Sequence, residues 1–285
     1  MSTTKTHSDP TVSTPQKIAD TVTALGKLAL LSRRCGIPPC DDPDKPLIIM
    51  ANGPSLRQTI DTCRDTLLSC PTLAVNFAAN TPDFFSLKPR YYVLADPLFF
   101  AAEPRENIAL LRSNLEKVDF PMTLFVPRGC DPHISNSHIR TEYFNNVGID
   151  GADALCRWAY SRRLAMPRPR NVLIPSIMIG IWMGYRQIYI TGADHSWMQT
   201  ISVDDDNHVV SIQPHFYKED EKDHRKVKSD YEGFTLHQIV HSFYVAFRAY
   251  HRIAEFAGTK NVNIFNSTPG SFIDAFERRP LPGTK

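Results

Sequence analysis

Short apolar runs recur along the chain from residue 47 onward, and each is closed by turn-forming residues. The runs at 47–51, 72–76, 91–95, 122–126, 186–192 and 261–265 read as buried strands, being five to seven residues long and bounded by Gly, Pro, Asn or Asp. Between them, 56–68, 103–118, 152–163 and 234–257 space their apolar residues as a helix does, and Gly258 stands where a helix would close. Residues 175–184 are small and apolar and predict a helix that Ser176 caps. This alternation predicts an α/β domain over 45–285, with a mostly parallel sheet and helices on both faces. Residues 199–233 are polar and irregular and read as a flexible lid. Upstream, Ile18, Val22, Leu25, Leu28 and Leu31 fall at helical spacing within 16–34, and 35–44, with three prolines, reads as a linker. Residues 1–15, rich in Ser, Thr and Pro, predict a disordered tail.

Composition narrows the function classes. The chain has 285 residues, 42% hydrophobic and 22% charged, enough apolar material for a sizeable core. A net charge of +2 lacks the basic excess of a nucleic-acid binder, so no nucleic-acid partner is expected. The six cysteines form no CxxC pair and no zinc-like spacing, and free thiols are expected. No apolar run approaches the roughly 18 residues needed to span a bilayer, and the N-terminus lacks a leader-like apolar segment, which points to the cytoplasm. The helix at 16–34 would pack on the core or on a second subunit of a homo-oligomer. With Lys27, Arg33 and Arg34 it would alternatively make a peripheral contact with an anionic membrane surface.

Ligands of open parallel sheets bind beyond the carboxyl ends of the strands. Five predicted strand ends finish in small or hydrogen-bonding residues: Asn52-Gly53-Pro54-Ser55, then Asn76, Phe77 and Asn80, then Asp96-Pro97, then Gly192 to His195, then Asn266-Ser267-Thr268. Singly each would be a turn or a cap; together they predict a polar ligand across the top of the sheet. Gly53 would let the backbone approach that ligand, and the N–H groups of a helix starting at Pro54 would attract a phosphate. The pattern is neither a dinucleotide fingerprint nor a Walker loop.

Several of these segments resemble bacterial lipooligosaccharide sialyltransferases and a wider group of bacterial and archaeal proteins sharing their fold. The likeness runs in order through 48–56, Val75-Asn76-Phe77, 92–100, 174–178, 188–194 and 266–271. It implies a Rossmann-like nucleotide-sugar fold and an inverting glycosyltransferase that needs no metal ion or other cofactor. The implied donor is a CMP-activated acidic sugar such as sialic acid or Kdo, and the acceptor a surface glycan or glycolipid. Asn52 and Asn76 would contact the donor phosphate or sugar, Ser176 the sugar carboxylate, and Gly192 and Asp194 the ribose or base. His215, ahead of His224, would be the general base, with Tyr217 on the phosphate. Asp96 departs from the family's usual Asn and would repel an acidic sugar. Two other readings fit the same fold: a Mg²⁺-dependent pyrophosphokinase using Asp96 and Asp194, and a non-catalytic glycan- or nucleotide-binding protein.

Overall fold

The computed structural model describes residues 12–211 and 233–283. Its centre is an eight-stranded sheet in which all neighbouring strands pair in parallel. The strands are β1 (Leu47–Met50), β2 (Thr72–Val75), β3 (Tyr91–Val93), β4 (Met122–Pro127), β5 (Ile139–Phe144), β6 (Gln187–Thr191), β9 (Asn263–Asn266) and β10 (Glu277–Arg278). A separate antiparallel hairpin joins β7 (Ile201–Val203) to β8 (Val209–Ser211), inside the segment expected to be an irregular lid. Across the sheet the order is β10-β9-β6-β1-β2-β3-β4-β5. The chain therefore moves one way from β1 to β5 and then crosses to β6 on the other side of β1. That reversal opens a crevice between the carboxyl ends of β1 and β6.

Every side chain of β1, β2 and β3 is buried, as expected of strands covered on both faces. Alternate residues feed two cores. Leu47, Ile49, Leu73, Val75 and Val93 pack under α6 (Asp153–Ser161), α7 (Leu173–Met183) and α8 (Leu236–Thr259). Ile48, Met50, Ala74, Tyr92 and Leu124 pack under α2 (Leu56–Thr62), α3 (Arg64–Ser69), α4 (Pro82–Leu87) and α5 (Glu106–Glu116). The N-terminal helix α1 (Thr14–Leu31) joins the first of these cores through Ala24.

Several boundaries differ from the sequence reading. The single helix expected at 56–68 is two, because Cys63 leaves helical geometry at φ −124° and ψ 25°. β5 was not expected because it is an edge strand with three half-buried and two exposed side chains among its six, leaving no apolar run. Helix α7 starts before Ser176, not at it. Asn171 Oδ1 accepts the Leu173 amide at 3.0 Å, while Ser176 is fully buried and donates back to the Val172 carbonyl at 2.7 Å. Helix α8 opens on a Thr235/Gln238 capping box and runs past Gly258, which lies in its last turn.

Candidate active site at the sheet reversal

The crevice between β1 and β6 is held by two loops pressed together. The Gly53 amide donates to the Gly192 carbonyl at 2.7 Å, directly beyond the last ladder bond from Ala51 to Thr191 at 2.9 Å. A Cβ on Gly53 would lie 2.1 Å from Asp194 Oδ2 and 2.5 Å from the Gly192 carbonyl oxygen. Gly192 has φ +69°, and its Cβ would lie 2.3 Å from the Ala51 carbonyl oxygen. Both positions need glycine because backbone meets backbone there. Gly53, expected to make room for a ligand, makes room for the second loop and also lines the cavity beyond it.

The turn after β1 differs from expectation in another way. The Ser55 amide and hydroxyl both donate to Asp194 Oδ2, at 3.3 and 2.8 Å. The carboxylate of Asp194 thus occupies the place where the helix start was expected to take a phosphate. Helix α2 itself begins only at Leu56.

Beyond this lock lies a cavity of about 410 Å³ lined by the strand ends, including Asn52, Gly53, Asn76, Asp96, Gly192 and Asp194. Asn146, Arg170, Asn171, His195 and Trp197 complete its wall. Asn52 Nδ2 donates to the carbonyl of Val75 at 3.0 Å, and Asn146 Nδ2 to that of Ala95 at 3.5 Å. These contacts fix both amides so that each Oδ1 is the free end. The Oδ1 atoms of Asn52, Asn76 and Asn146 and the Nδ2 of Asn171 are buried and have no hydrogen-bond partner among the described residues. Buried polar atoms are nearly always paired, and these four belong to residues that line one cavity, which makes it the candidate site. Asn76 adopts φ +49°, and its backbone carbonyl accepts the Tyr92 hydroxyl.

His195 stands at φ +52°, buried, with its ring centroid 4.1 Å from that of Trp197. Its Nε2 is 2.6 Å from the Tyr250 hydroxyl, which donates to Asn171 Oδ1 at 3.0 Å. The Leu173 amide orients that same Oδ1. Because Tyr250 spends its one proton on Asn171, His195 Nε2 carries a proton and Nδ1 is an acceptor. Burial pushes the His195 pKa down to about 3, so the imidazole is neutral at neutral pH. Burial likewise raises the Tyr250 hydroxyl far above its ordinary value.

Asp96 is exposed at the cavity edge, where its Oδ1 accepts the Leu98 amide at 2.9 Å. Arg170 is exposed and has no ion pair among the described residues. Ser176 does not line the cavity, since its hydroxyl is turned into α7. His215, His224 and Tyr217 lie outside the described residues. A second groove of about 720 Å³ shares Arg170, Asn171 and Trp197 with the first and is otherwise lined by residues 234–246. Among the described residues, the one cluster of three metal-ligand side chains is Asp204, Asp206 and His208 at the hairpin turn; Asp96 and Asp194 belong to no such cluster.

No family model and no curated protein matches the sequence. Among solved structures, the chain is similar to the MAf glycosyltransferase from Magnetospirillum magneticum AMB-1, with a TM-score of 0.52 and 12% sequence identity. The chain shares its fold with a glycosyltransferase. The match covers 94% of this chain and 39% of that one, so this chain spans well under half of its neighbour's length. At that identity the likeness establishes the Rossmann-like α/β fold. Among the described residues no helix is long and apolar enough to cross a membrane.

The sequence reading did not single out Asn146, Asn171 or Tyr250. Asn146 follows the strand it missed, Asn171 sits in a proline-rich stretch, and Tyr250 looks like any core position of an amphipathic helix.

Proposed function

We propose that this chain is a glycosyltransferase that binds a nucleotide sugar in the cavity at the sheet reversal. The observation that carries this reading is the set of unpartnered amide oxygens on Asn52, Asn76 and Asn146. Acceptors of this kind are satisfied by hydroxyl donors, and a sugar or ribose supplies several within one ligand. The shared fold with a glycosyltransferase supports the same reading.

The donor proposed first is a CMP-activated acidic sugar, moved to a glycan or glycolipid hydroxyl with inversion and without a metal ion. Arg170 is the cation placed to pair with the phosphate or the sugar carboxylate. In that reaction the acceptor oxygen bonds to the anomeric carbon as the bond to the nucleotide phosphate breaks. A base takes the acceptor proton, and His215 remains the candidate for it on the resemblance, with Tyr217 on the phosphate. The exposed carboxylate of Asp96 at the cavity edge favours an uncharged sugar instead.

The deciding experiment measures nucleotide release across CMP-, UDP- and GDP-linked sugars, with and without EDTA. Release from a CMP-linked acidic sugar that survives EDTA is the expected result. Turnover of a neutral sugar alone would move the donor assignment, and EDTA-sensitive release would remove metal independence. If no nucleotide sugar binds or turns over, the proposal is wrong.

A further inference from the structure

Helix α1 ties its charged side chains to neighbouring groups and leaves most of its large apolar side chains exposed, only Leu28 of them packing on the core. Lys17 pairs with Asp153 at 2.9 Å, Lys27 donates to the Gly148 carbonyl at 3.1 Å, and Asp20 accepts from Gln16 at 2.9 Å. Ala24 is its one buried residue. Ile18, Val22, Leu25 and Leu30 on its outer side and Leu31 at its end are 62, 65, 52, 74 and 60% exposed. An amphipathic helix ordinarily does the reverse.

Helix α6 lies alongside it in the same direction. Near their starts Lys17 meets Asp153, and the Ala152 amide donates to the Thr21 hydroxyl at 2.8 Å. Near their ends the Ser32 hydroxyl donates to the Leu164 carbonyl at 2.7 Å, and Asn145 bridges the carbonyls of Arg33 and Arg163. The exposed side of α6 adds Trp158, 49% exposed, between Arg157 and Arg162. Arg33, Arg34, Arg157 and Arg162 are exposed and have no ion pair among the described residues. The only acids in 14–34 and 153–164, Asp20 and Asp153, already have partners within the protein.

This face combines uncharged apolar side chains, one tryptophan and four arginines, and its two acids, Asp20 and Asp153, are bonded within the protein. A second copy of the chain would set arginines against arginines across a two-fold axis. Residues 1–11 contain one large apolar side chain, Met1, too few to cover five. We propose that the α1/α6 face docks on an anionic lipid bilayer. The apolar side chains and Trp158 enter the boundary between headgroups and acyl chains, and the arginines sit on lipid phosphates. The site is separate from sugar transfer and is tested without donor or acceptor.

The test is co-sedimentation of the full chain with vesicles of mixed phosphatidylglycerol and phosphatidylcholine, against phosphatidylcholine alone. Binding to the anionic vesicles is expected, with loss as salt rises from about 0.1 M to about 1 M. The double variant Val22→Asp/Leu25→Asp should bind at least about tenfold more weakly with an unchanged melting temperature, since both side chains are exposed. Arg157→Glu/Arg162→Glu should weaken binding by about fivefold or more for each charge removed. Trp158→Phe should abolish part of the blue shift in tryptophan fluorescence on vesicle addition. Absence of vesicle binding, or binding that these variants leave unchanged, overturns the proposal. A concentration-dependent dimer that the Val22/Leu25 variant dissolves, without vesicle binding, would reassign the face to a contact between copies.

Discussion

Replacing His195 with Gln should change how the protein's stability responds to acid. His195 is buried, and its pKa lies near 3 in the folded chain against 6.5 for the free side chain. Above pH 6.5 the imidazole is neutral in both states and contributes no pH dependence. Between 6.5 and 3 the unfolded chain binds a proton that the folded chain refuses, so stability falls as the pH falls. At about pH 5 the gap is about 1.5 pH units, which at about 1.36 kcal/mol per unit costs about 2 kcal/mol. Urea unfolding of the parent and of His195→Gln at about pH 7.5 and about pH 5 isolates this group, because the other titrating side chains cancel in the difference. The parent should lose about 2 kcal/mol more than the variant on acidification. Equal losses would show that the ring is charged or solvated in the folded chain, and the neutral hydrogen-bonded assignment would fall. Tyr250→Phe supplies an independent check. It removes the acceptor of His195 Nε2–H and should destabilise the fold by about 1–3 kcal/mol at neutral pH.

Three further outcomes follow from the site geometry. Gly53→Ala places a Cβ 2.1 Å from Asp194 Oδ2 and should separate the β1 and β6 loops, lowering the melting temperature by about 5–10 °C; an unchanged melting curve refutes the lock. Asn52→Ala and Asn146→Ala should each weaken nucleotide-sugar binding about tenfold in titration calorimetry, and unchanged affinity would mean that their amide oxygens do not meet the ligand. Arg170→Ala should raise the donor KM about tenfold and flatten its salt dependence, whereas an unchanged KM would place the phosphate elsewhere.

The sheet was legible because the signal for a covered parallel strand is local. Leu47–Met50, Thr72–Val75 and Gln187–Thr191 are apolar runs cut by turn residues, and the structure pairs them side by side. Sequence reading failed where burial is partial. β5 exposes or half-buries five of its six side chains, and the Asn146 that follows it went unseen with it. It also failed where the deciding contact is distant in sequence. Nothing near Ser55 announces that residue 194 will claim its amide, and nothing near Tyr250 announces His195. Strand ends could be read one at a time, but their mutual contacts depend on the crossover from β5 to β6, which local pattern does not encode.

That crossover also governs how the cavity treats charge. In a phosphate cradle the backbone N–H groups at a helix start face the ligand unpaired. Here the Ser55 amide is turned to Asp194, and the Gly53 amide to the Gly192 carbonyl. The β1 turn therefore offers a ligand the oxygen of Asn52 more readily than its own backbone donors. With Asn76 and Asn146 beside it, this side of the cavity accepts hydrogen bonds, and the wall carrying Arg170 and the Nδ2 of Asn171 donates them. A ligand with hydroxyl donors at one end and acceptor or anionic oxygens at the other would satisfy both. The proposed nucleotide sugar would supply hydroxyls from its sugar and ribose and an anionic phosphate within one molecule. A metal–ATP complex would have to use the Oδ1 of Asp194 and the Oδ2 of Asp96, because Ser55 holds the other Asp194 oxygen and the Leu98 amide the other Asp96 oxygen.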